Sequence, residues 1–155
     1  MNTHAAPAPI PGARADDRAP ADDRFERGAA KLREVDGDQG LAVIDALADV
    51  APDLGRYVVE FAYGDTYSRP DLEPRQRQLV TIGILAALGG AEPQLTVHVN
   101  AALNVGLTAT EIIGAIIHAV PYVGFPRALN ALFTAKAVFA ERALLPVRSA
   151  DRVAG

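Results

Sequence analysis

The chain has 155 residues, half of them hydrophobic, no cysteine, and a formal net charge of -4 at pH 7, which suits one buried core and a single domain. Mild acidity without a Lys/Arg stripe leaves nothing to neutralise phosphates, so nucleic acid is not an expected partner. Lack of thiols excludes disulfide and thiolate chemistry and fits a reducing cytoplasm, the expected compartment. No uncharged apolar run reaches the roughly 20 residues that span a bilayer, and the first residues lack the apolar centre of a signal peptide, so a soluble protein with no membrane partner is expected.

Residues 1–23 are dominated by Ala, Pro, Asp and Arg and include the doubled phrase Ala15-Asp16-Asp17-Arg18 and Ala21-Asp22-Asp23-Arg24. With almost no large apolar side chain to bury, this segment cannot offset the entropy of ordering and is expected to be a disordered tail that contains His4. After it, no stretch alternates apolar and polar residues with period two for long, which points to an all-α protein of about six to seven helices over 24–145. A first amphipathic helix is expected over 24–34, stopped by Asp36-Gly37-Asp38, and a second over 41–50. Pro52 suits the first turn of a third, which should stop at Gly64 and leave 65–71 as a loop. Pro74 opens the next helix, where Leu79, Ile82, Leu85 and Ala86 recur at helical spacing before Gly89-Gly90. Pro93 starts a helix closed by Gly106, and Thr108-Ala109-Thr110-Glu111 reads as the capping box of a helix to Val120. Pro121 and Gly124 should break the chain before a last helix from Pro126 to Ala143, with 146–155 frayed.

His98 shares a helical stripe with Leu95, Val99 and Ala102 and so faces inward. A lone imidazole there is either a satisfied structural group or a general acid or base with a pKa near neutrality. His118 either lines a pocket or packs near the end of its helix. Arg69, Arg75 and Arg77 flank the loop before Pro74, either solvated or ready to grip a carboxylate, which a guanidinium does with two parallel hydrogen bonds. Glu111 belongs to the capping box, whereas Glu60 is free to orient His98 or to pair with Arg69 or Arg77. No metal site is expected, because the histidines lack ligand spacing and a carboxylate cluster.

The segment from Leu72 to Leu132, with His98 in an apolar helix and Tyr122-Val123-Gly124-Phe125-Pro126 after the following one, resembles the carboxymuconolactone decarboxylase family. These are small all-helical proteins related to the thiol peroxidases called alkylhydroperoxidase D. In the redox relatives a Cys-x-x-Cys pair lies seven and four residues before the matching histidine, at Ala91 and Gln94 in this chain, which therefore resembles a cysteine-free branch. The resemblance implies that His98 is an acid or base, that Arg69 and Arg77 hold a substrate carboxylate, that His118 lines the pocket, and that Tyr122 donates to an oxyanion. Pro121 departs from the pattern and removes a backbone donor beside that tyrosine. The implied activity is decarboxylation of a lactone like 4-carboxymuconolactone to an enol-lactone, without a cofactor, in the catabolism of aromatic acids, by a homotrimer or homohexamer. Two other readings stay open. One is a cofactor-free isomerase, cyclase or dehydratase acting on a lactone or polyketide-like intermediate; the other is a non-catalytic helical oligomer that binds a small molecule. The same histidine serves the first; the second turns on whether His98 faces an accessible cavity with a basic residue opposite, a closed, dry histidine favouring it.

Overall fold

The computed structural model describes residues 21–147, so the expected tails lie almost wholly outside the described residues, although Ala21 to Asp23 already belong to the first helix. Every described element is a helix. The order is α1 (Ala21–Asp45), α2 (Pro52–Tyr57), a π-helix π1 (Val58–Tyr67), α3 (Pro74–Leu88), α4 (Glu92–Asn104), α5 (Ala109–Val123) and α6 (Phe125–Glu141).

The expected break at Asp36-Gly37-Asp38 is a kink inside α1, made at Gly37 with φ 64°. Glycine tolerates that left-handed conformation, and helix resumes because both arms bury apolar residues in one cluster. Leu32 and Val35 precede the kink, Leu41 and Ile44 follow it, and Val59, Tyr63 and Ala101 complete the cluster. The second expected helix, 41–50, ends earlier, at Asp45, in turns.

Gly64 does not stop a helix as expected. The chain continues through it to Tyr67 with π-helical pairing, because Gly64 is buried at a backbone crossing. A Cβ at Gly64 would lie 2.8 Å from the Arg24 carbonyl oxygen, and one at Gly28 would lie 2.1 Å from that of Val59. The two glycines let α1 and π1 touch main chain to main chain. Arg27 adds a hydrogen bond to the Gly64 carbonyl and Arg24 an ion pair to Asp65. On π1, Tyr63 and Tyr67 stack with ring centroids 5.0 Å apart.

The remaining helices follow the punctuation of the sequence. Proline lies in the first turn of α3, α4 and α6, and Gly89, Gly106 and Gly124 take positive φ after α3, α4 and α5. Thr108 and Glu111 form the expected capping box. Pro121 does not break α5, which runs to Val123; Ile117, one turn earlier, is exposed, so the carbonyl that proline cannot bond lies on the open side of the helix. A second cluster gathers Ile82, Leu95, Val99, Ile112, Ile116, Ala135 and Phe139. Helix α4 joins the two, with Ala101 in the first cluster and Val99 and Ala102 in the second. No described helix is long and apolar enough to cross a membrane.

Candidate active site

Because Leu95, Val99 and Ala102 commit α4 to the core, His98 beside them is held half-buried. Its Nδ1 is 3.2 Å from Oε1 of Gln78 on α3. Gln78 is fully buried, and its Nε2 donates to the Tyr67 hydroxyl at 3.4 Å, which in turn lies 3.3 Å from Thr81 Oγ1. An amide oxygen only accepts, so this chain of contacts places the proton of a neutral imidazole on Nδ1 and leaves Nε2 with its lone pair. Burial holds His98 below the ordinary histidine pKa and so favours that neutral form.

His98 lines a cleft of about 340 Å³ whose walls are α1, π1 and α4. Gln94 and Val97 flank it on α4, Asp36 and Val43 come from α1, and Tyr63 from π1. Asp36 is only 4 % exposed. The Tyr63 hydroxyl donates to its Oδ2 in a short hydrogen bond, while Oδ1 is buried with no partner. Burial pushes the Asp36 carboxyl above its usual range, with the Tyr63 hydrogen bond working against it. Burial and the neighbouring carboxyl likewise push the Tyr63 hydroxyl up. The cleft therefore sets an imidazole on one wall and a carboxyl on another, with no Lys or Arg among its lining residues.

Several expected site residues are placed elsewhere. Arg77 is buried, and its guanidinium donates to the carbonyls of Leu72 and Arg69 and pairs with Asp71 at 2.6 Å. It lies over the Tyr67 ring, 5.9 Å from the centroid, so it pins the loop to α3 rather than meeting a ligand in the cleft. Arg69 is exposed and pairs with the same Asp71 at 2.8 Å, and Arg75 pairs with Glu111 at 2.9 Å. Glu60 does not reach His98, Arg69 or Arg77; it pairs with Arg56 at 2.7 Å and with Arg24 at 3.8 Å, both nearer in the fold. His118 and Tyr122 are exposed, the latter at 77 %, with rings 5.8 Å apart. They line a separate apolar groove of about 720 Å³ between α3 and α5, which shares no residue with the His98 cleft. Continuing α5 through Pro121 carries Tyr122 outward on that face.

The relay and the π1 and α4 walls of the cleft fall within a stretch of known pattern. The sequence model of the "Carboxymuconolactone decarboxylase family" matches residues 52–137, more than half of the chain. This chain belongs to that family. It is 34 % identical over 124 residues to 4-carboxymuconolactone decarboxylase of Acinetobacter baylyi, covering 79 % of this chain and 92 % of that protein. It is 32 % identical over 111 residues to nitrosuccinic acid decarboxylase of Metarhizium robertsii, covering 70 % and 76 % of the two chains. A third relative, an uncharacterized 15.0 kDa protein of Paracoccus denitrificans, is 35 % identical over 97 residues, covering 62 % and 72 %. As a family member without cysteine, the chain has Ala91 before the first turn of α4 and Gln94 on the wall of the His98 cleft.

Sequence reasoning missed Gln78 and Asp36. Both carried a signal: Gln78 lies one turn before Ile82 on an otherwise apolar stripe, and Asp36 lies one turn after Leu32, next to Val35. A polar residue on a core-facing stripe needs a partner, and each has one at the cleft.

Proposed function

We propose that the protein is a cofactor-independent decarboxylase of a small carboxylated lactone such as 4-carboxymuconolactone, with His98 moving the proton. The observation that carries this reading is the imidazole at the wall of the cleft, with Nδ1 tied to a fully buried amide and Nε2 free of it. The two relatives named as decarboxylases support the reaction class. Their named substrates pose one problem: a bond from carbon to a carboxylate breaks, and a neighbouring acceptor, a vinylogous lactone carbonyl or a nitro group, must take the electron pair.

For the lactone, carbon dioxide leaves, the pair delocalises onto the ring carbonyl oxygen as a dienolate, and a ring carbon then takes a proton. One proton is consumed for each carbon dioxide released. An anionic substrate favours the imidazolium that burial alone opposes, and the proton gained at Nε2 is the one delivered to carbon. Apolar walls from Leu32, Val43 and Val97 keep the reacting carboxylate poorly solvated. The acid on the α1 wall also suits an isomerase or dehydratase on a related lactone, but such reactions release no carbon dioxide.

Self-association into a trimer or hexamer is part of the same reading. Val80, Ile84 and Leu88 of α3, Ile117 of α5, and Phe125 and Phe133 of α6 are exposed, more apolar surface than a small monomer normally shows. Light scattering at micromolar concentration tests this, and a monomeric mass would refute it. For the reaction, the test is carbon dioxide release from 4-carboxymuconolactone. His98→Gln should lower turnover by roughly 10²–10⁴-fold, and His118→Gln, in the other groove, should cost far less. Near-full turnover by the His98 variant would remove the proton-transfer role.

A further inference from the structure

We propose that Asp36 is a second catalytic group of this cleft: a carboxylic acid, held by Tyr63, that donates a hydrogen bond to the substrate oxygen on which charge collects as carbon dioxide leaves. The proposal rests on the decarboxylase reading, and it adds a residue that lies outside the family match of 52–137.

Asp36 lines the same cleft as His98 and is almost completely buried. A carboxyl placed to support the fold would have both oxygens satisfied, since a buried oxygen without a partner costs stability. In Asp36 only Oδ2 is satisfied, by the Tyr63 hydroxyl, and Oδ1 has no partner. Nor does a cation compensate. The cleft has no Lys or Arg among its lining residues. Space for the carboxyl is secured one turn later by Gly40, where a Cβ would lie 2.6 Å from the Asp36 Cβ and 2.7 Å from Leu32 Cδ1.

The chemistry selects the protonation state. An ionised Asp36 would repel both the substrate carboxylate and the dienolate, whereas the neutral acid presents an O–H. Burial already favours the neutral form, and an anionic ligand in the cleft favours it further. With Oδ2 taken by Tyr63, the acid proton belongs on Oδ1, the oxygen that lacks a partner. As the bond to the leaving carboxylate breaks, the electron pair moves to the ring carbonyl oxygen. Asp36 stabilises that oxygen by hydrogen bonding and keeps its proton, while His98 protonates carbon, so the two groups divide the reaction between oxygen and carbon.

The test compares the full-length wild type with Asp36→Asn and Asp36→Leu, by melting temperature and by steady-state carbon dioxide release from 4-carboxymuconolactone. A catalytic Asp36 predicts that the Leu variant, while still folded, loses roughly 10²–10³-fold in kcat, the cost of one oxyanion donor, with KM little changed. It also melts lower, because the buried Tyr63 hydroxyl loses its acceptor. Asn, whose amide still donates, should lie between. A folded Leu variant that keeps its kcat overturns the proposal and makes Asp36 a structural partner of Tyr63 alone. If the wild type itself releases no carbon dioxide, the decarboxylase reading falls, and Asp36 is judged by muconolactone, the same ring without the leaving carboxyl. A rise in melting temperature with muconolactone that wild type shows and the Leu variant lacks sustains Asp36 as the donor to the lactone; equal rises, or none in wild type, overturn it.

Discussion

The relay behind His98 makes a prediction that needs no substrate. Gln78→Glu is nearly isosteric and replaces a neutral acceptor, 3.2 Å from Nδ1, with a charged one. At that separation and an effective dielectric near 20, two unit charges attract by roughly 5 kcal/mol, which at about 1.36 kcal/mol per pH unit would raise the imidazole titration by almost 4 units. Position 78 is fully buried, so the new carboxylate is itself desolvated and much of this is cancelled; a rise of about 1 to 2 pH units over wild type is expected. Following the imidazole C–H resonances by NMR against pH measures it, with His98→Gln assigning the signal. Gln78→Leu is the complement. It leaves Nδ1–H without an acceptor and removes the donor to Tyr67, which keeps Thr81, so a stability loss of roughly 1–3 kcal/mol is expected from the orphaned imidazole proton. A His98 titration that does not move in Gln78→Glu would show that the amide does not control the imidazole, and the tautomer argument would fall with it.

Further outcomes follow from the crossing, the buried imidazole and the missing thiols. Gly28→Ala places a Cβ 2.1 Å from the Val59 carbonyl oxygen, where backbone must move; a loss of at least roughly 1–3 kcal/mol is expected in denaturant unfolding, and wild-type stability would show that α1 and π1 can part freely. His98 has its folded pKa below the unfolded value near 6.5, so its contribution to stability is complete above that pH and is lost as pH falls through the folded value. Wild type should therefore lose more melting temperature than His98→Gln between pH 7.5 and pH 5. Asp36, raised by burial, acts in the other direction in both proteins and cancels from the comparison; parallel curves would refute the assignment. Finally, purified protein should turn over no peroxide with a thiol reductant, because neither Ala91 nor Gln94 can form a thiolate; turnover above a heat-killed control would contradict this.

Helix starts and stops were legible because they depend on local chemistry. Proline in first turns, positive-φ glycines and the Thr108–Glu111 box act within a few residues, whatever the rest of the chain does. Gly64 illustrates the limit of the same logic: from neighbours alone it is a terminator, whereas its role is set by Arg24, forty residues earlier. The inward aspect of His98 was readable from Leu95 and Val99. Its partner was not, since Gln78 reaches it only once α3 packs on α4. Arginines near a loop suit solvent or a ligand carboxylate equally, and Arg77 is instead taken by Asp71 and the carbonyls of Arg69 and Leu72, which only the folded loop brings to it. Asp36 looked like part of a break because the kink at Gly37 is local, while the cleft it lines is a long-range product of α1 meeting α4.

The walls of that cleft differ in where they lie relative to the family match. The π1 and α4 walls lie inside the stretch that the family model matches, residues 52–137, and the α1 wall lies before it. The facing surface can therefore vary without disturbing the His98–Gln78–Tyr67 chain, since Val43 and Ile44 line the cleft without entering that chain. A relative's first helix grafted onto this body, with the crossing glycines and Asp36 kept, is therefore expected to recut the cavity and leave the His98–Gln78–Tyr67 chain in place.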